Sequence, residues 1–482
     1  MRHCRGSRVV FALAALLLCA GSLAPPAVAA SNDTISSFSL RGSPFAEDLA
    51  PLPQQVQARL VLARQAKVTL RVFRLDGTKV RTFAKRLKLP AGEYAWSWDG
   101  RNAVGVPLPD GIYEIRVRAS NRRGVMVESR RVRKGIPPIY AADPGAIVVA
   151  VDPGHGGRFP GAVRDGFAEK DFNLDISLKL RDLLEASGVQ VVMSRTTDVA
   201  VSEPPFDHNG DGKVDRYDDD LMRNDSANLA RADVVVHVHN NASTSTATHG
   251  TGTYTSMART WTPHAVDLAA LMVDEQFTAL DAYGTPAFVP KNNGVHGGWY
   301  YYVGPYDPPF LPRPTLMPSV LSESLYLSNP PELDALKRAD VRTSLAAAIY
   351  LGIAEHLNTR ELGIGYQLMS GPSSSVAGAQ TSYRVRVTNR GNNASSDWTL
   401  ELHNVPGVPV YDGSGQLGDF MGSVAVPDGL QPGASVDLTV NAPAPAVAGD
   451  WWVKADVRQA DDSYASNAGV VSLQMPLTTT AP

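Results

Sequence analysis

The chain has 482 residues, and at about 150 residues per domain it has room for about three domains. Its 44% hydrophobic and 19% charged residues exclude both a disordered chain and a bundle of membrane helices. The formal net charge of −3 conceals an uneven distribution, because residues 55–135 carry 19 lysines and arginines against 6 acidic residues, a local +13. The rest of the chain therefore carries −16, so the sequence joins a basic segment to acidic ones.

Residues 1–30 have the pattern of a secretory signal peptide. Three arginines precede an apolar run that is shorter than the ~20 residues needed to span a bilayer, and an Ala-x-Ala cleavage pattern follows at residues 27–29. A lipoprotein cysteine at Cys19 is disfavoured because Leu18 precedes it. With Cys4, this segment holds both cysteines of the chain, so no disulfide is expected after cleavage. We expect a secreted or cell-envelope protein without a membrane span.

Two segments follow before the centre of the chain. Residues 31–54 are polar and contain proline, which predicts a flexible lead-in. Residues 55–134 have short alternating runs separated by Asp-Gly turns, which predicts a small antiparallel β-sandwich. The motifs at residues 96–102 (WSWDGRN) and 108–113 (LPDGIY) resemble the immunoglobulin-like domain of the flagellar hook-capping protein. Three prolines within residues 135–145 indicate a linker.

The pattern changes at residues 146–360, where continuous apolar runs alternate with helical spacing. The runs at residues 147–151 and 234–238 are typical of strands buried on both faces, so we predict βαβ units and a mostly parallel sheet. Residues 361–476 return to short strands separated by glycine and proline turns. The predicted fold is multidomain: a central α/β domain flanked by two all-β immunoglobulin-like sandwiches.

Four residues of the central segment have side chains suited to metal binding or proton transfer. His155 lies on a glycine-rich loop directly after a buried strand, the edge at which ligands bind in open α/β sheets. Glu169 begins a predicted helix, where the helix dipole favours a carboxylate. His239 ends the strand that starts at Val234. Glu323 is a lone carboxylate in a neutral strand, and a charge there is costly unless it is paired or metal-bound.

In this order, the four segments resemble the zinc-dependent N-acetylmuramoyl-L-alanine amidases, bacterial hydrolases that cut between the sugar and the stem peptide of peptidoglycan. The resemblance spans residues 147–358 and implies that Glu323 is catalytic. It also implies three zinc ligands: His155, Glu169 and His239. His237 shares a strand face with His239 and could also reach the metal. We favour His239, which adjoins the loop; the alternative role for His237 is a partly buried histidine that bonds a carbonyl.

The chemistry of these residue types agrees with the resemblance. Two histidines and one carboxylate leave an open position on zinc, which is the pattern of a catalytic site. Zinc lowers the pKa of bound water to about 7, and Glu323 would carry the proton from water to the leaving nitrogen. Two alternatives stay open: a calcium-dependent surface adhesion protein with an inactive amidase-like domain, and a zinc peptidase that cuts within the stem peptide. The intact set of four residues argues against the first.

An insert at residues 199–221 contains a second metal motif. Residues 207–218 have oxygen side chains at positions 1, 3, 5, 9 and 12, with glycine at position 6, as in an EF-hand calcium loop. The loop resembles the dockerin version because position 12 is aspartate. Lys213 would contribute only its backbone carbonyl. The alternative is an acidic solvated loop. The predicted structural calcium ligands are Asp207, Asn209, Asp211, Lys213, Asp215 and Asp218.

Peptidoglycan is the partner that the resemblance implies. The basic charge of residues 55–134 either keeps a sheet edge soluble or holds the protein on anionic cell-wall polymers, by an attraction that salt weakens. Nucleic acid is not expected as a partner of an exported chain. His249 and His296 are further candidates for contact with the substrate, in loops at the rim of the site.

Overall fold

The computed structural model describes residues 33–139, 147–298, 300, 302–304, 313–359, 363–391, 393–406, 418–468 and 470–481. The predicted signal peptide, with Cys4 and Cys19, and most of the predicted linker lie outside the described residues. Among the helices that are described, none is both long and apolar enough to cross a membrane.

The amino-terminal region consists of two antiparallel sheets. Its strands are β1 (Ile35–Arg41), β2 (Val56–Leu62), β3 (Ala66–Arg74), β4 (Lys79–Leu89), β5 (Gly92–Trp98), β6 (Gly111–Asn121) and β7 (Gly124–Lys134). The sheets have the orders β1-β2-β5 and β4-β3-β6-β7. Trp98 is buried in the shared core, where its ring meets Phe45 at 5.5 Å and Tyr113 at 5.1 Å in edge-on geometry. Large aromatic side chains thus fill the space between the sheets.

The prediction of a flexible lead-in over residues 31–54 was wrong for strand β1. This strand pairs antiparallel with β2, and its Phe38 and Leu40 are buried in the core. Phe38 and Leu40 alternate with polar residues, which is the period of a half-buried strand. The serines and prolines of the segment conceal this short alternation.

The central region contains six larger strands, a small hairpin and five helices within the described residues. They are β8 (Val148–Pro153), β9 (Val163–Arg164), β10 (Phe167–Ala168), α1 (Glu169–Ala186), β11 (Gln190–Met193), α2 (Arg216–Leu229), β12 (Val234–Asn241), β13 (Thr251–Thr255), α3 (Thr262–Asp281), β14 (Asn292–Gly297), β15 (Ser319–Tyr326), α4 (Pro330–Leu336) and α5 (Ala339–Thr359). The sheet order is β11-β8-β12-β15-β13-β14. The first four strands run parallel, and β13 and β14 run in the opposite direction.

Helices cover both faces of this sheet. Val149 lies in one core cluster with Leu180 of α1 and with residues of α3 and α5. Ala150, the next residue, lies in a separate cluster with Ala227 of α2. Successive residues of a strand point to opposite faces, so β8 is apolar on both sides. This explains the continuous apolar runs in the sequence.

The carboxy-terminal region also has two sheets. Its strands are β16 (Ile364–Ser370), β17 (Ser374–Val376), β18 (Gln380–Asn389), β19 (Thr399–Pro406), β20 (Asp419–Ala425), β21 (Ser435–Pro443), β22 (Gly449–Arg458) and β23 (Leu473–Thr480). The sheet orders are β16-β18-β21 and β17-β23-β22-β19-β20, and residues of both sheets share one core. Arg390 bonds Asp233 of the central region through both terminal nitrogens, at 2.8 and 2.7 Å. An ion pair therefore joins this region to the turn before β12.

A buried ion pair ties α2 to the end of β8. Arg223 of α2 is fully buried and donates to Asp152 at 2.6 Å and to Asp219 at 2.7 Å. It also donates to the backbone carbonyls of Pro153 and His155, at 2.8 and 2.7 Å. One guanidinium thus satisfies two carboxylates and two carbonyls, so this charge is compensated although no water reaches it.

We predict that Arg223→Met destabilises the protein by about 3–5 kcal/mol, because two buried carboxylates lose their partner. Arg181→Met is the control: Arg181 lies on α1, where it pairs with Asp182 near solvent, and its loss should cost at most about 1 kcal/mol. Urea unfolding of both variants measures the difference. Equal midpoints for the two variants would show that the buried pair does not support the fold.

Candidate metal centre and active site

The loop after β8 brings His155 against β12. Gly154 lies so close to His239 that a Cβ at this position would be 2.0 Å from Nε2 of the histidine ring. His155 itself has a φ of +61°, in the left-handed region that residues other than glycine rarely adopt. Glycine at position 154 therefore allows the close approach, and the surrounding structure holds His155 in its turn.

Glu169 is the first residue of α1 and is almost completely buried. One carboxylate oxygen, Oε2, accepts from the backbone nitrogen of Ala162 at 3.0 Å. The other, Oε1, accepts at 3.2 Å from the side chain of Asn173 and from the backbone nitrogen of Asn240. Burial opposes the charge, but hydrogen bonds with His155 and His239 hold the pKa of Glu169 well below its usual range. The carboxylate is ionised and fixed in orientation.

The two histidines converge on this carboxylate. Nε2 of His155 lies 3.2 Å from Glu169 Oε2, and Nδ1 of His239 lies 3.1 Å from Oε1. The histidine rings are 4.8 Å apart and nearly perpendicular. One candidate ligand atom from each of the three residues lies within 4.8 Å of the others. Within the described residues, this is the group of metal-binding side chains that the fold assembles.

Two observations show that the group suits a metal ion. Nε2 of His239 is buried and has no hydrogen-bond partner among the described residues, so this ring nitrogen is not satisfied by the protein. Burial lowers the pKa of His239, which favours the neutral imidazole that binds metals. Two imidazoles and one carboxylate are the ligand set of a catalytic zinc site.

Glu323 lies beside this group on the neighbouring strand. It is in register with His239 across the parallel pair of β12 and β15 and with Gly252 of β13. Its Oε2 is buried and has no hydrogen-bond partner within the part of the chain that the structure describes. Burial raises the pKa of Glu323 well above its usual range, and the charge of Glu169 adds to the effect. A carboxyl group in such a position is suited to carrying a proton.

A cavity of about 380 Å³ connects these groups. Its lining residues are His155, Phe159, Arg216, Tyr217, Asp219, Asp220, His239, Tyr300, Tyr302, Leu321 and Glu323. Tyr302 contacts the ring of His239 at 5.2 Å and donates to Asp220 at 2.6 Å. Burial raises the pKa of Asp220 to about 6. The cavity therefore combines two imidazoles, carboxyl groups and aromatic walls.

The other candidate histidines lie outside the group. His237 is fully buried, and its Nδ1 lies 2.9 Å from Asp152, so it bonds a carboxylate rather than the carbonyl that we expected as its alternative role. The Nδ1 of His249 lies 2.9 Å from the carbonyl of Ala247. His296 belongs to strand β14 instead of a loop, and its ring stacks on Tyr254 at 4.9 Å.

Sequence analysis missed the side chains that hold the His155 loop. Besides Arg223, Arg195 is buried and donates to the carbonyls of Pro153 and Gly154 at 2.8 and 3.0 Å. Burial lowers the pKa of Arg195 to about 10. Asp219 and Arg223 are four residues apart on α2, the spacing of an ion pair on one helix face, and this was a signal that could have revealed their contact.

The insert forms bends and turns before α2. Both carboxylate oxygens of Asp207 accept backbone N–H groups of the loop, including that of Gly212 at 2.8 Å. Gly212, at position 6 of the predicted calcium loop, has a φ of +83°. Asp218 is buried and caps α2 together with Asp215. Within the described residues, the carboxylates of this loop do not form a compact group like that of His155.

Comparisons with known proteins match two segments of the chain. Residues 149–355 match the family model "N-acetylmuramoyl-L-alanine amidase", and residues 53–123 match "FlgD Ig-like domain". The amidase LytC of Bacillus subtilis is 28% identical over 208 residues, which cover 43% of this chain and 35% of LytC. The amidase AmiC of Neisseria meningitidis is 30% identical over 247 residues, 45% of this chain and 54% of AmiC.

Among solved structures, the CwlD amidase from Clostridioides difficile, in complex with the GerS lipoprotein, is 27% identical. It aligns with 44% of this chain and 100% of that chain, at a TM-score of 0.37. This chain spans about a third of LytC and about half of AmiC, so the similarity concerns one segment of each protein. The similarity to the N-acetylmuramoyl-L-alanine amidase family therefore covers residues 149–355, and the similarity to the FlgD Ig-like domain covers residues 53–123.

Proposed function

We propose that residues 146–360 form a zinc-dependent hydrolase that cleaves the amide bond between N-acetylmuramic acid and L-alanine in peptidoglycan. The observation that carries the proposal is the convergence of His155, Glu169 and His239 at the cavity that His155 and His239 line together with Glu323. The matched segment of the relatives, which are named as amidases of this type, supports the choice of substrate.

His155, Glu169 and His239 would hold the zinc ion. A zinc ion bound there supplies Lewis-acid chemistry, in that it polarises a carbonyl and lowers the pKa of water. The protein fixes Glu169 through hydrogen bonds from Ala162 and Asn173. Such outer contacts keep the ligands in the orientation that binding requires.

Glu323 would carry the proton in the reaction. As water attacks the lactyl carbonyl carbon, Glu323 accepts a proton from that water and returns it to the alanine nitrogen as the C–N bond breaks. The products are a muramic acid with a free lactyl carboxylate and a peptide with a free L-alanine amino terminus. The unpartnered Oε2 of Glu323 and the walls of the cavity, which include Leu321 and Tyr302, suit a proton carrier that is shielded from bulk water.

We predict that Glu323→Gln lowers kcat on purified peptidoglycan by about 10²–10⁴-fold, because the amide cannot carry the proton. Glu185→Gln, at an exposed position on α1, is the matched control and should keep wild-type activity. Mass spectrometry of the wild-type digest should show new L-alanine amino termini and intact muramic acid.

The same digest tests the two alternatives. New amino termini within the stem peptide would indicate a zinc peptidase, and an undigested wall with zinc present would favour an adhesion protein with an inactive domain. Full activity of Glu323→Gln would contradict the proposed role of this residue.

We also propose that the insert at residues 199–221 binds a structural calcium ion. The ligands would be Asp207, Asn209, Asp211, the Lys213 carbonyl, Asp215 and Asp218. The positive φ of Gly212 and the start of α2 at Arg216 support this reading, because an EF-hand loop needs a sharp turn at position 6 and leads into a helix. Calcium would replace backbone N–H groups as the partner of the loop carboxylates.

For an extracellular-grade affinity of roughly 10⁻⁴–10⁻³ M, 10 mM calcium should stabilise the protein by roughly 1.4–2.7 kcal/mol. We predict that Asp211→Ala abolishes this gain, measured as the calcium-dependent shift in Tm while zinc is kept saturating. Asp182→Ala, on α1 away from the loop, should retain the shift. A shift that survives in Asp211→Ala would rule out calcium binding by these ligands.

We further propose that the basic amino-terminal region, residues 55–134, binds anionic cell-wall polymers. Edge strand β4 carries Lys79, Lys85 and Lys88, all exposed, and none of them forms an ion pair with a described residue. An uncompensated row of cations attracts a polyanion, and this attraction weakens as salt rises. Together with the sequence pattern of residues 1–30, this function agrees with export to the cell envelope.

We predict that changing Lys79, Lys85 and Lys88 to glutamine reduces cosedimentation with cell walls and flattens its salt dependence. Hydrolysis of a small soluble muramoyl peptide, which does not need the basic surface, should be unchanged and serves as the control. Unaltered wall binding at low salt would refute the role of β4.

We propose that the chain is divided into three domains and a linker. We place an immunoglobulin-like sandwich at residues 55–134, to which β1 of the preceding segment adds a strand, and a linker at residues 135–145. The catalytic domain covers residues 146–360. The two sheets and shared core of the last region support a second immunoglobulin-like sandwich at residues 361–476.

A further inference from the structure

The first turn of α2 forms one wall of the cavity that contains the histidines. Four of the lining residues come from this turn or directly follow it: Arg216, Tyr217, Asp219 and Asp220. This segment is the last part of the insert and is distant in sequence from the candidate zinc ligands. It therefore contributes to the binding space without belonging to the metal group.

Arg216 brings a positive charge to the cavity. Its guanidinium stacks over the ring of Tyr217 at 4.7 Å and donates to the tyrosine hydroxyl at 3.0 Å. No carboxylate of the described residues lies within the 4.0 Å ion-pair distance of Arg216. It is also the one lysine or arginine among the described residues that line the cavity.

The neighbouring carboxylates of this wall already have partners. Asp219 accepts from Arg223 at 2.7 Å and from the backbone of Ser202 at 2.9 Å. Asp220 accepts from Tyr302 at 2.6 Å. Arg216 is therefore left to bind an anion that enters from solvent, and a guanidinium binds a carboxylate through two parallel hydrogen bonds.

The backbone around Arg216 is fixed in place. Asp215 caps α2 by accepting from Tyr217 at 2.8 Å, and Asp218 accepts in return from the backbone of Asp215 at 2.8 Å. Asp218 also accepts from the backbone of His208 at 2.7 Å, so the insert and the helix start form one unit. A fixed backbone lowers the entropic cost of binding a ligand at this position.

We propose that Arg216 binds a carboxylate of the stem peptide and makes the enzyme selective for substrates with an anionic peptide. This inference rests on the proposed function and specifies the substrate of the same site. The peptide is the source of the anion because the muramic acid carboxyl is consumed in the scissile amide, and the N-acetyl sugars are neutral. The charge of Arg216 thus orients the peptide side of the substrate in the cavity.

Two synthetic muramoyl peptides test this inference, one with free peptide carboxylates and one with carboxamides at the same positions. The wild type should have a KM about tenfold or more lower for the acidic substrate, as expected for a charge-assisted bidentate contact. Arg216→Gln should raise KM for the acidic substrate to that of the amide, with kcat little changed. Arg216→Lys should retain part of the preference for the acidic substrate. Arg181→Gln, on the outer side of α1, should retain the full preference and serves as the control.

Binding of the same two peptides to a Glu323→Gln background separates this inference from the proposed function. If Arg216→Gln is added to this background and the Kd for the acidic peptide rises to that for the amide peptide, the role of Arg216 is supported. This result holds even if the wild type cleaves neither peptide. An unchanged preference in Arg216→Gln, or equal loss of affinity for both peptides, overturns it. Melting temperatures of all variants verify that each is folded.

Discussion

The buried contact between Arg223 and Asp152 is the constraint on which the candidate centre depends. Asp152 ends a strand that is buried on both faces, and a lone carboxylate there would be very costly. Burial opposes its ionisation, but Arg223 and His237 hold the pKa of Asp152 below its usual range. The same arginine donates a hydrogen bond to the carbonyl of His155. The buried charge of Arg223 therefore neutralises the carboxylate of Asp152 and also holds the backbone of His155, the first candidate ligand.

The order of the parallel strands brings the other residues of the candidate centre together. Strands β8, β12 and β15 are adjacent and run in the same direction, so their carboxyl ends meet at one edge. This brings His155, His239 and Glu323 together although up to 168 positions of chain separate them. Glu169 reaches the same edge because α1 begins there. The centre is therefore a consequence of strand order and needs no long loop to form.

Short sequence motifs were enough to identify features that depend on a few neighbouring residues. The glycine-rich loop at residues 152–157 was evident because it directly follows an apolar strand, and Glu323 because it is a lone carboxylate within a neutral strand. The partner of His237 could not be predicted, since Asp152 is brought to it by pairing of β8 with β12. Strand β1 was missed for a similar reason, because its stability comes from pairing with β2 and not from its own sequence.

Two different parts of α2 support the candidate centre and line the cavity in which we propose that the peptide binds. Its inner face carries Arg223, which must keep its partners for the His155 loop to hold its shape. Its first turn carries Arg216 and Tyr217, which line the cavity. A change at Arg216 can therefore alter the proposed peptide wall and leave the contacts of Arg223 intact, whereas Asp219 of the same turn is a partner of Arg223. Arg216 is thus a position at which specificity can vary while the support of the His155 loop stays constant.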